Sequence, residues 1–380
     1  MAKIIHCTFV LSTPAFIGDG NQQVADTLRP PSIKGALRFW WRALQWSAVR
    51  KQHATDEQAL AALHSEEAAL FGSTQQKSRV SLKIKGTFAQ WQSSQANSMD
   101  GVKYLAGQGV FDFKKGFERG ALVSTTPFEL TLILDNLVTS EQEAQLCRAL
   151  SVFGHLGAIG SRARKGFGSV SIQSCSVPQV QVASTIEELN TITRSIANST
   201  TQGLPPFTAI SAATRIDVTR SNSSTGLQAL DHYGKEMVRY RSYGRNGKIL
   251  GSEKAKQNFK DDHDLVIANN QKRDITQAPR RIVFGLPSNY FFSSSRLKVQ
   301  IDPAEHNRRA SPLFCHIHQF ASGERAQVLA LIPAEFLPER EGLNFKYDRA
   351  NARLDSRHLK PDWSVISEFM DRFDKGVEKS

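Results

Sequence analysis

The run Pro31-Ser-Ile-Lys-Gly-Ala-Leu-Arg-Phe-Trp-Trp-Arg42 constrains the fold more than any other part of this chain. It packs a helix start, a regular basic row and three adjacent aromatic residues into one short stretch. At about 100° per residue, Ile33, Leu37, Trp40, Leu44 and Ala48 fall on one stripe, with Ser32 as N-cap, so this stripe is expected to be buried. Lys34, Arg38 and Arg42 recur every four residues and share a second face with Gln45. Two uses fit that row: the solvated side of an ordinary amphipathic helix, or a line of cations along a phosphate backbone.

The chain has 380 residues, more than a single core normally organises, and 40% of them are hydrophobic, enough for real cores. Hydrophobic periodicity gives a strand over Ile4–Leu11, a turn through Thr13–Gly20 and then the Ser32 helix. A second helix spans Glu57–Leu70, followed by strands over Arg79–Thr87 and Pro127–Leu134. A helix over Glu141–Phe153 carries Leu146, Leu150 and Phe153 at helical spacing, and a strand follows over Ser169–Val177. The polar stretch Thr185–Gly203 reads as a helix-poor linker. Beyond it, Phe207–Thr219 alternates as a strand, Arg239–Arg281 is a long basic region containing surface loop, and Trp363–Phe373 is an apolar helix. The expected organisation is α+β, with domains over 1–184 and 204–380 joined by a linker over 185–203.

Lys and Arg number 48 against 36 Asp and Glu, a formal charge of +12, which favours a polyanionic partner or an acidic protein surface. Cys7, Cys147, Cys175 and Cys315 form no C-x-x-C pair and lack histidines at zinc-like spacing, so neither a disulfide framework nor a structural metal is indicated. Neither a dinucleotide-binding fingerprint nor a P-loop occurs, and no cofactor is expected. No segment has the length and apolarity to span a bilayer, and the expected location is the cytoplasm.

A second landmark is Gly154-His-Leu-Gly-Ala-Ile-Gly-Ser-Arg-Ala-Arg-Lys-Gly-Phe-Gly-Ser169. Here Gly157, Gly160, Gly166 and Gly168 surround Arg162, Arg164 and Lys165. Glycines let backbone amides approach a phosphate while the cations supply charge. A third cluster, Lys235–Lys248, interleaves Arg239, Arg241 and Arg245 with tyrosines. Tyr243 can stack on an unpaired base while the arginines hold phosphates, and the same loop can instead dock a protein. Arg280-Arg281 and Arg308-Arg309 are shorter versions, readable as exposed pairs. Among the histidines, His155 beside the glycine-rich loop is the first candidate for a general base. His316 and His318 alternate along a strand and should face one side. The acidic run Asp261–Asp264 lacks a second ligand group and suits the ordering of a basic loop.

The segments Thr13-Pro-Ala-Phe-Ile-Gly18, Arg29–Arg42 and the loop ending Arg164-Lys-Gly-Phe-Gly168 resemble the RAMP superfamily of CRISPR proteins. With His263-Asp-Leu-Val266, Phe284-Gly-Leu-Pro287 and Arg308-Arg-Ala-Ser-Pro312, the chain is most similar to the first-subunit family of type III-B Cmr effector complexes. The resemblance implies two ferredoxin-like (RRM-like) RAMP domains with long loop insertions. It implies a non-catalytic RNA-binding subunit in antiviral defence, assembled with other Cmr subunits around a CRISPR RNA near its 3′ end and helping to capture target RNA. By the same resemblance Lys34, Arg38, Arg42, Arg162, Arg164 and Lys165 face RNA or neighbouring subunits. The alternative is a metal-independent endoribonuclease processing CRISPR transcripts. Asp19 departs from the family's usual Gly-Gly turn.

Overall fold

The computed structural model describes residues 3–18, 23–25, 27–348 and 350–373; the turn positions Asp19 and Gly20 lie outside them. Among the described residues there are eight α-helices: α1 (Pro30–Lys51), α2 (Asp56–Phe71), α3 (Asp100–Ala106), α4 (Ser140–Leu156), α5 (Ile186–Ala197), α6 (Gly226–Arg241), α7 (Lys260–Ala268) and α8 (Ser364–Met370). The class is α+β, as expected.

The first half builds a four-stranded antiparallel sheet in the order Val80–Lys85, Phe128–Leu134, Lys3–Leu11, Val170–Cys175. Numbered along the chain this is 2-3-1-4. The alternation that makes Phe128–Leu134 a strand also places Phe128, Leu130, Leu132 and Leu134 on one fully buried face. The second half repeats the order 2-3-1 with Leu313–Gln319, Arg325–Leu331 and Arg215–Ser221, again antiparallel. A separate five-stranded sheet is made from residues 274–303 and 343–354.

Helix α1 starts three residues earlier than expected. Prolines occupy its first turn, Arg29 is the N-cap, and Ser32 lies inside the helix. Its burial is also wider than one stripe. Ile33, Leu37 and Trp40 are buried as expected, but so are Trp41, Gln45, Trp46 and Val49, while Ala48 is exposed. The reason is packing on several sides. Trp41 meets Phe71 of α2 at 6.2 Å, Trp40 meets Phe314 at 5.6 Å and Trp46 meets Phe207 at 5.3 Å. One apolar cluster therefore runs from Phe9 and Phe153 to Phe314 and Val328.

The segment expected to be a helix-poor linker contains α5. Thr185 caps it by accepting from the Glu188 amide, and Leu189, Ile192, Thr193 and Ile196 are buried at helical spacing. Polar composition concealed a regular apolar stripe. The strand expected over Phe207–Thr219 is confined to Arg215–Ser221. The basic region Arg239–Arg281 holds the end of α6, all of α7 and short strands.

Helices α3 and α6 cross closely. A Cβ on Gly234 of α6 would sit 2.3 Å from the Gly101 carbonyl oxygen of α3. Asp231, one turn earlier on α6, accepts from the amides of Gly101 at 2.8 Å and Val102 at 3.3 Å, completing the start of α3. Gly234→Ala should lower stability by about 2–3 kcal/mol in urea unfolding, because the clash outweighs a helix-propensity gain of about 1 kcal/mol. An unchanged midpoint would contradict this crossing.

Candidate nucleic-acid interface

The glycine-rich loop is fixed before its cations are placed. Gly166 and Gly168 have φ of +91° and +67°, and a Cβ on Gly168 would lie 2.0 Å from the Ile159 carbonyl oxygen. Between them Phe167 is fully buried, its ring 5.0 Å from Phe16. The Thr13 hydroxyl donates to the Gly166 carbonyl at 2.6 Å and accepts from the Ser169 amide at 3.0 Å. The Cys315 amide donates to the Arg164 carbonyl at 3.1 Å, tying the loop to the second half.

On this frame Arg162, itself left-handed at φ +63°, donates to the Gln108 carbonyl. Burial lowers its pKa, as do Arg119 and Arg308 nearby. Arg164 lies 4.5 Å above the Phe314 ring and donates to the Ser311 carbonyl; burial and Arg309 bring it to about 10. Lys165 is only partly exposed, with its ammonium deep among neighbouring atoms. Burial, then Arg241 and Arg162, brings it to about 7. Arg241 stands 4.6 Å over Phe284, is lowered by burial and by Arg281, and its Nε has no hydrogen-bond partner. None of these four cations has a carboxylate partner among the described residues. Packing like charges in a half-buried patch costs stability, and an anion offsets that cost.

The other expected residues are placed differently. Arg38 Nε and Arg42 Nη1 both donate to Oε1 of Glu67 on α2, at 2.5 and 2.8 Å, and Glu67 is buried. Lys34 donates to the Ser78 hydroxyl at 2.7 Å. The α1 row therefore joins two helices, and Gln45, expected beside it, is buried. Arg239 is bound to Glu236 and Glu253, which raise its pKa, Glu253 foremost. Tyr243 is stacked on His263 at 4.0 Å and 6°, so one of its faces is already covered. Arg245 is exposed.

The three candidate histidines form an enclosed cluster between the halves. His155, His316 and His318 are each at most 1% exposed. The rings of His155 and His318 stack at 5.3 Å, and His316 Nε2 lies 3.5 Å from His318 Nδ1, facing the same side as their alternation requires. His155 Nδ1 is 2.6 Å from the Ser151 carbonyl, and its Nε2 accepts from the Ala183 amide at 3.3 Å. Burial lowers His155 to about 4 and His316 to about 3, and drives His318 well down. His155 has no face open to a ribose hydroxyl, so the structure withdraws it as a general base.

A family model described as the RAMP superfamily matches residues 8–171. The chain is 24% identical over 347 residues to the Cmr1-1 subunit of the CRISPR Cmr system of Pyrococcus furiosus, covering 90% of this chain and 87% of that one. Residues 8–171 are thus RAMP-like, and over most of its length the chain is similar to a Cmr1 subunit. In fold it is similar to the crystal structure of apo Cmr1 from Pyrococcus furiosus, with TM-score 0.54, 16% identity and coverage of 96% and 97%. It is also similar in fold to a chain in the cryo-EM structure of a type III-B Cmr-beta complex bound to cognate target RNA and AMPPnP in the presence of ssDNA. There the TM-score is 0.50, the identity 14% and the coverage 97% and 98%.

The RAMP match ends just past the glycine-rich loop, yet residues that complete the cation patch come from far beyond it. Buried Asp262 accepts from the amides of Arg280 and Arg281, both at 2.8 Å. This is the loop-ordering role expected of the acidic run. Arg281 thereby sits 4.2 Å over the Tyr290 ring and donates to the Arg241 carbonyl. Arg119 reaches the Ser161 hydroxyl at 3.4 Å. Arg119 and the neutralising role of Glu67 were missed in sequence. For Glu67 the signal was its place on the α2 face that meets α1.

Proposed function

We propose that this chain is a non-catalytic RNA-binding subunit of a type III-B CRISPR effector ribonucleoprotein. It contacts CRISPR RNA and target RNA, assembles with other Cmr subunits, sits near the CRISPR RNA 3′ end and works in the cytoplasm in antiviral defence. The repeated 2-3-1 strand order supports reading both halves as ferredoxin-like domains. Among the described residues no helix is long and apolar enough to cross a membrane.

The observation that carries the reading is the patch of Arg162, Arg164, Lys165 and Arg241, which is positive, half-buried and without carboxylates. Phosphates supply the missing charge, and a patch that holds backbone needs no base specificity. The test is a salt series with labelled single-stranded RNA and the full chain. Four phosphate contacts predict a log–log slope of about −3, at about −0.7 per phosphate for a single strand, with the RNA left intact. A flat slope, or discrete cleavage products, would overturn the reading.

A further inference from the structure

We propose that residues 107–119 form a finger that stacks Phe113 on an unpaired RNA base beside the phosphates held by the cation patch. Phe113 is 91% exposed at the tip of a hairpin formed by strands Phe111–Asp112 and Gly116–Phe117. The ring is presented from a rigid base. Phe113 meets Phe111 edge-on at 5.4 Å, Phe111 meets Phe117 at 5.0 Å, and Phe117 meets buried Trp91 at 5.0 Å. The tip is braced by Asp112, whose Oδ1 accepts from the Lys114 and Lys115 amides at 2.8 and 3.0 Å. Two bonds join the foot of the hairpin to the glycine-rich loop, from Arg162 to the Gln108 carbonyl and from Arg119 to the Ser161 hydroxyl.

The chemistry around Phe113 selects the ligand. Lys114 and Lys115 directly follow Phe113 and are exposed; Lys115 is 3.5 Å from Glu118, and Lys114 has no ion pair among the described residues. The other exposed large apolar side chains, Ile4, Val24, Leu60, Leu137, Leu204, Ile267 and Phe291, lie on other segments. One bare ring beside two lysines does not make an apolar docking patch. It does match a nucleotide, whose base offers a π-face and whose phosphates offer charge.

This inference rests on the RNA-binding reading, and the experiment separates the two. The full chain, Phe113→Ala and Phe113→Trp are titrated with a short single-stranded RNA and with an abasic strand of equal length, folding being checked by circular dichroism. Phe113→Ala should weaken binding of the base-bearing strand by roughly fivefold to a hundredfold. It should leave the abasic strand unaffected. Phe113→Trp should keep the affinity and show fluorescence quenching with bases only. Salt-sensitive RNA binding that Phe113→Ala leaves unchanged overturns the finger alone. Failure of the unsubstituted chain to bind either strand overturns the RNA reading and the finger with it.

Discussion

Lys165→Met should make the isolated protein more stable and a poorer RNA binder at once. The lysine's folded pKa, about 7, lies below the 10.5 of a free side chain because of burial and then the neighbouring Arg241 and Arg162. A lysine depressed in this way lowers stability as pH falls from 10.5 towards 7, since the unfolded chain takes up the proton first. At pH 7.5 the cost is about 2–4 kcal/mol after allowance for its partial exposure. Removing the amine should therefore raise Tm by about 2–5 °C for a chain of this length, an advantage that fades near pH 10. RNA binding should fall about tenfold, by loss of a charge-assisted contact. A bound phosphate favours protonated Lys165, so the affinity of the unsubstituted chain should decline above pH 7, and the variant should lose that dependence. A variant that is less stable and binds RNA normally would show that Lys165 is an ordinary packed residue.

Mild acid should unfold the protein through its histidine cluster. His155, His316 and His318 remain neutral in the fold, the first two at about 4 and about 3 and His318 also driven well down by burial, against 6.5 when unfolded. Their depressed values mean that the stabilising effect is complete above pH 6.5 and is lost as pH falls through the window down to about 4. Each contributes up to about 1.4 kcal/mol per pH unit, so three give about 6 kcal/mol between pH 6.5 and 5, comparable to a typical domain's whole stability. Urea midpoints at pH 7.5, 6 and 5 should drop steeply. His318→Phe, which removes one titrating group beside Phe320, should flatten the fall. A constant midpoint across this range would contradict the enclosure of the cluster.

Much of the frame was legible because it is local. Alternation placed the strands around Ile4, Phe128 and Val170 to within two residues, and the spacing of Leu146, Leu150 and Phe153 located α4. What escaped was either masked by composition or set by distant partners. Thr185 followed by Glu188 is a helix-start signal with an apolar stripe behind it, yet the serines, threonines and asparagines around it suggested a linker. The α1 row satisfied the spacing for phosphate contacts, but only the fold shows Glu67 between Arg38 and Arg42. Conversely, Lys165 and Arg241 stand far apart in sequence, and nothing local says that their surroundings hold no carboxylate. Phe113 was unreadable for the same reason, since an aromatic residue in a Phe-rich stretch signals core until its exposure is seen.

The most direct measurement is photocrosslinking of the full chain to single-stranded RNA containing 4-thiouridine, with the linked peptides identified by mass spectrometry. Crosslinks are expected in 107–119, 160–168 and 239–245. Crosslinks confined to the Lys34–Arg42 face of α1, with the glycine-rich loop unlabelled, would contradict the account.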